Sequence, residues 1–187
     1  MDSKSIVIKL FTGPYNNSDA INSVLGYIST DNHKPVPIGG YGFFPITVDT
    51  AIKAFQFVDD SMQKFYPDNQ KVWHLTISCD SSFNYTEVLY IAERFSSKLY
   101  DYGYYTFYGI HHPDSKDKSP KRSYHIHIGI QYFSYNMYVF PLDWHSLKKR
   151  LEEFAFNLEY DHRQKFISMY KTTDLSSFPL IKVSRCF

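Results

Sequence analysis

Cysteine is scarce in this chain: Cys79 and Cys186 are the only two, far apart and in no CxxC pair. That excludes a disulfide framework and predicts a reduced, intracellular protein. Long apolar runs are missing as well. No stretch approaches the ~18 consecutive apolar residues of a membrane span, and the opening MDSKSIVIKLF lacks the apolar centre of a signal peptide. A soluble, cytoplasmic chain is the expectation. Nor does charge of one sign dominate, since 20 Lys and Arg stand against 19 Asp and Glu, a formal net charge of +1. Extended binding along duplex DNA therefore has no electrostatic footprint, and any nucleic-acid contact has to be local.

What is abundant is aromatic. Tyr and Phe number 17 and 16, and aromatics make up 19% of the 187 residues, far above ordinary usage. They serve either a thick aromatic core with hydroxyls at its rim or a surface that stacks flat ligands such as unpaired bases. The length suits one core, so a single domain over residues 1–187 is expected.

Ser5 to Phe11 carries β-branched residues and stops at Thr12-Gly13-Pro14, which predicts a strand. Ile21, Val24, Leu25 and Ile28 have helical spacing behind a cap at Ser18. Asp31 to Pro45 holds three prolines and three glycines and reads as a loop. A helix opening at Thr47 or Asp49 turns Ile52, Phe55, Val58, Met62 and Phe65 inward. VWHLTIS at 72–78 alternates like a strand, and Val88, Ile91, Ala92, Phe95 and Leu99 mark a helix over 84–100. Strands at 104–111 and 124–132 form a hairpin across a long polar loop, and Asp143 caps a last helix with Leu147, Leu151, Phe154 and Leu158 inside. The order predicts an α+β fold: a central antiparallel β-sheet with flanking helices on one main face and that hairpin in its middle.

The chemistry concentrates in SYHIHIGIQYF, residues 123–133. On a strand, Tyr124, Ile126, Ile128 and Ile130 point one way while His125, His127 and Gly129 point the other. Alpha carbons two apart are roughly 7 Å from each other, a span two imidazoles can close on one ion at ~2.1 Å per nitrogen. Gly129 beside them frees space where a ligand could lie. A lone His-x-His pair is weak, because 8 His in 187 residues yield roughly 0.3 such pairs by chance. His111 and His112, at the end of the partner strand, strengthen it by bringing a third nitrogen next to His125. Three histidines with open positions describe a catalytic metal site, against the alternative of packed or surface histidines.

Around these residues the sequence resembles the HUH endonucleases, and among them the plasmid mobilisation relaxases. YGIHHPDS and the His-hydrophobic-His strand carry the resemblance. VWHLTISCD, YIAERFSSKLYDYGYYTFYGIH and FPLDWHSLKKRLEEFAFNL extend it, so that it covers roughly residues 20 to 160. It implies a single-strand DNA transesterase that uses Mn²⁺ or Mg²⁺ on His111, His125 and His127. VLGYISTDNHK matches the place of the family's nucleophile, which implies Tyr27 as the attacking residue. The family's His-x-Asp also fits His112-Pro113-Asp114, so His112 stays open as an alternative ligand, with Asp114 as a group that could orient a ligating histidine. The implied partners are single-stranded DNA at a transfer or replication origin and accessory DNA-processing proteins.

Other readings separate on particular residues. A rolling-circle replication initiator would place its nucleophile after the metal strand, at Tyr160 or Tyr170. A two-histidine phosphoesterase would use HLTI at 74–77 twice, but the second copy, HIHI, has His127 in place of Thr. A non-catalytic single-strand-binding module would rely on the aromatics and on Lys116, Lys118, Lys121, Arg122 and the Lys148-Lys149-Arg150 run. Lys34, Lys121 and Arg122 are the candidate DNA contacts, with solvated surface charge as the plain alternative. His74 shares a face with Thr76 and Ser78 and reads either as a residue behind a metal ligand or, the preferred reading, as a satisfied core histidine. His33, His145 and His162 need no role.

Overall fold

The computed structural model describes residues 5–11, 15–67, 69–79, 81, 83–112, 124–136, 149–151, 153–154 and 182–185. The elements run β1 (Ser5–Phe11), α1 (Ala20–Ile28), β2 (Thr30–Asp31), β3 (Lys34–Pro35), β4 (Ile38–Tyr41), α2 (Val48–Gln63), β5 (Val72–Cys79), α3 (Tyr85–Asp101), β6 (Thr106–His111), β7 (His125–Gln131) and β8 (Lys182–Arg185). The fold is α+β. One sheet has the order β4-β6-β7-β5-β1-β8. Its first five strands are antiparallel, and β8 lies parallel to β1. The β6–β7 hairpin sits inside it as expected, with His111 paired to His125.

Two helix starts follow reciprocal capping. Thr50 N–H donates to Thr47 Oγ1 at 3.2 Å and Thr47 N–H to Thr50 Oγ1 at 3.1 Å. Asn84 and Glu87 exchange the same pair of bonds at 3.0 Å each, satisfying donors that a helix start otherwise leaves open. At α1 the cap residue is Asp19 rather than Ser18, and it makes no side-chain bond to the helix backbone. Ser23 and Asn22 side chains donate to its carboxylate instead.

Helices cover both faces of the sheet, not one. Residues Val88, Ile91, Ala92, Phe95 and Leu99 of α3 pack with Leu151 and Phe154 on Leu75, Ile77, Ile110, Ile126, Ile128 and Ile130. The opposite face receives α1 and α2 through Leu25, Ile28, Ala51 and Phe55 against Val72 and Phe107. Each fully buried large side chain of these layers contributes roughly 1.5–3 kcal/mol. Coverage on both sides explains why β5 is buried along nearly its whole length instead of alternating.

Two further expectations shift. The stretch read as a loop contributes β4, an edge strand paired to β6, because Gly39 leaves room for the Tyr108 ring. Tyr41 and Tyr108 hydroxyls there both donate to Glu93 of α3, and burial followed by Glu93 pushes the Tyr41 phenol up to about 12. Phe65 lies beyond the end of α2 and is exposed, while Asp59 is buried, paired with buried Lys71. Of the last predicted helix, residues 149–151 and 153–154 are helical; Asp143, Leu147 and Leu158 lie outside the described residues. Among the described residues no helix is long and apolar enough to cross a membrane.

Candidate active site

Register places the chemistry in rows across three strands. Ser78 of β5, His125 of β7 and His111 of β6 form one row, Thr76, His127 and Gly109 the next, and His74, Gly129 and Phe107 the third. Directly opposed residues in antiparallel strands share a face, so four histidines lie on the side that α1 covers. His74, His111 and His127 are buried.

Two glycines let α1 lie down on this face. A Cβ at Gly109 would stand 2.0 Å from the Ile28 carbonyl oxygen, and one at Gly129 would stand 2.6 Å from Leu25 Cδ2. The space beside His127 that the sequence offers to a ligand is thus filled by helix side chains. The helix end delivers Tyr27, whose ring centre is 5.2 Å from that of His127 and 5.7 Å from those of His74 and His111. Tyr27 is 53% exposed. A phenol open to solvent therefore stands over a buried imidazole floor.

Each imidazole is held through one nitrogen. His111 Nε2–H donates to the Ile28 carbonyl at 3.1 Å, His125 Nδ1 bonds Ser78 Oγ at 3.0 Å, and His127 Nδ1 bonds His74 Nε2 at 2.9 Å with Thr76 Oγ1 at 3.2 Å. Phe11 stacks on His74 with ring centres 4.9 Å apart. Burial, aided by His111, His74 and His125, pushes His127 down to about 3. Burial and then His111 push His74 down to about 4. His125 is lowered by burial and by His111, against an opposing pull from Asp31. These three rings are consequently neutral at pH 7, the form in which an imidazole donates a lone pair.

The donor chemistry fits a divalent ion. His111 Nδ1, His125 Nε2 and His127 Nε2 make no hydrogen bond among the described residues, and the other nitrogen of each is anchored, as ligating histidines require. A set of three nitrogens suits Mn²⁺ better than oxygen-seeking Mg²⁺. Closure is a separate matter: among the described residues no group of three or more His, Cys, Asp or Glu side chains is arranged to hold an ion. His111 spends its outer nitrogen on the helix end.

The cluster brings together Tyr27, His111, His125 and His127. His112 does not join it; its exposed ring stacks on Tyr85, 5.8 Å away at 8°, and meets Tyr124 edge-on. Lys34 is exposed on β3, in the short ribbon that follows Tyr27. Asp114, Lys121 and Arg122 lie outside the described residues, as do Lys116, Lys118, Lys148, Tyr160 and Tyr170. Of the basic run, Lys149 faces Glu153 at 3.9 Å and Arg150 covers the Tyr102 ring. His74 is buried and hydrogen-bonded to His127, as a satisfied core histidine would be, and it lies in the floor together with Phe11, Thr76 and Ser78. The signal for His74, Thr76 and Ser78 was present in the sequence as polar residues at every second position of an otherwise apolar strand; none marked Phe11. No family model, curated protein or solved structure matches the chain.

Proposed function

We propose that the chain is a single-strand DNA nicking and joining enzyme of the relaxase type within the HUH endonuclease superfamily, acting at a transfer or replication origin. Tyr27 is the nucleophile. His111, His125 and His127 would hold a divalent ion, Mn²⁺ or Mg²⁺, which when bound polarises the scissile phosphate and offsets its charge. The Tyr27 oxygen forms a bond to phosphorus, the bond from phosphorus to the 3′ oxygen breaks, and the phenol proton ends on the departing 3′ hydroxyl. The 5′ phosphate stays on Tyr27 as a phosphodiester that a 3′ hydroxyl can attack in the reverse, joining step. Half-exposed Tyr27 is open to a strand arriving from solvent.

The observation that supports this reading is the position of Tyr27 over His74, His111 and His127. Incubating the protein with mixed single-stranded oligonucleotides and Mn²⁺ should give a covalent adduct on a denaturing gel, absent without metal and absent in Tyr27→Phe. An adduct that persists in Tyr27→Phe moves the nucleophile elsewhere. Tight binding of single strands with no adduct leaves a binding module.

A further inference from the structure

We infer that His74 is a positioning residue that sets the tautomer of His127, accepting its Nδ1–H and so keeping Nε2 bare toward the space under Tyr27. The inference rests on the proposed metal role of His127 and adds a residue to it. A neutral imidazole carries one proton, and the partner of one nitrogen decides where it sits. His127 Nδ1 lies 2.9 Å from His74 Nε2 and 3.2 Å from Thr76 Oγ1. Were His74 to donate across this bond, the proton of His127 would be forced onto Nε2, and no lone pair would face the site. With His74 accepting, the lone pair of Nε2 is the free one, and Thr76 Oγ1 is a second acceptor for the same proton.

The surroundings of His74 fit this task. Phe11 lies flat against its ring at 4.9 Å and 24°, Tyr27 meets it edge-on at 5.7 Å, and Tyr15 edge-on at 6.4 Å. Three aromatic neighbours hold the ring without adding a hydrogen bond to it. Its one hydrogen-bonded partner among the described residues is His127. A histidine here takes the place that a carboxylate or carbonyl commonly occupies behind a ligating imidazole. It supplies an acceptor without bringing a negative charge into a buried layer.

The test begins with metal-free wild-type protein at pH 7, using long-range ¹H–¹⁵N correlation of the imidazoles. A proton on Nδ1 of His127 is expected; a proton on Nε2 overturns the inference. Two variants then separate position from packing. His74→Gln can place its Oε1 acceptor where Nε2 stood and should keep the Nδ1–H form, with Mn²⁺ affinity within about 3-fold of wild type. His74→Leu removes the acceptor, should shift His127 toward Nε2–H and should weaken Mn²⁺ binding on the order of 10- to 100-fold. Equal affinity and an unchanged tautomer in His74→Leu refute the role. If His74→Leu fails to fold, the wild-type tautomer and the Gln variant still decide. Wild-type protein that shows the Nδ1–H form and binds Mn²⁺ yet nicks no DNA would end the nuclease reading and leave this one standing.

Discussion

Replacing Gly109 by Ala tests how the helix that carries Tyr27 is seated. The added Cβ would fall 2.0 Å from the Ile28 carbonyl oxygen and 3.0 Å from its carbon, whereas a relaxed carbon–oxygen contact is ~3.3 Å. Both atoms belong to the backbone, so the missing distance has to come from moving the end of α1 away from β6. Overpacking of this kind costs about 1–3 kcal/mol. If the shift also breaks the 3.1 Å bond from His111 to Ile28, about 1 kcal/mol more is lost. A total of roughly 2–4 kcal/mol, at ~2–4 °C per kcal/mol for a chain of this size, lowers Tm by about 4–16 °C in a calorimetric scan. Gly129→Ala is the comparison. Its Cβ meets Leu25 Cδ2 at 2.6 Å and Ile28 Cδ1 at 3.2 Å, side-chain ends that can turn away, and should cost about 1 kcal/mol. On the proposed function, nicking by Gly109→Ala should also fall on the order of 100-fold through misplacement of Tyr27. A Gly109→Ala protein that melts with the wild type, or above Gly129→Ala, would refute this seating.

Other outcomes follow from buried polar groups. Lys71→Met leaves the Asp59 carboxylate buried and alone, which should cost about 3–5 kcal/mol in urea unfolding, while the double variant Lys71→Met/Asp59→Leu should regain most of it. Glu93→Leu strips an acceptor from the Tyr41 and Tyr108 hydroxyls and should lower stability by about 2 kcal/mol, with less effect when Tyr108→Phe is already present. Stability should also fall in acid. His74 and His127 are depressed when folded, to about 4 and about 3, against ~6.5 when unfolded. The unfolded chain therefore takes up protons first, and the stability present above pH 6.5 declines as pH drops toward 4. By pH 5 this amounts to about 2 kcal/mol per imidazole. Denaturant midpoints equal at pH 7 and pH 5 would contradict it, and His127→Gln should flatten the dependence.

Local patterns were readable where one rule governs. The buried residues of α1 and α3 follow from a 3.6-residue period, and the His125/His127 face follows from strand alternation with isoleucines on the other side. β4 was hidden because proline and glycine count as breakers, whereas Gly39 is there to admit a tyrosine ring from the neighbouring strand. Phe65 satisfied the period of α2 but falls past its end, so no core meets it. For His74 the sequence left two places open, behind a metal ligand or satisfied in the core. Its partner is 53 residues away in sequence, and only strand order, which periodicity does not encode, places β5 beside β7. Helices on both faces were missed for a related reason: Gly129 reads as open space until α1 is laid over it.

β7 is paired on both sides, to β5 from His125 through Gln131 and to β6 from His125 through Ile130. A strand bonded along both flanks exchanges its amide protons with solvent only when the sheet as a whole opens. α1 has only nine residues, held by side-chain packing rather than by a ladder of inter-strand bonds, and should open in smaller, more frequent excursions. In deuterium uptake the imidazole-bearing strand should be among the last segments to label and the tyrosine-bearing helix among the earlier ones, so the two halves of one site keep different clocks.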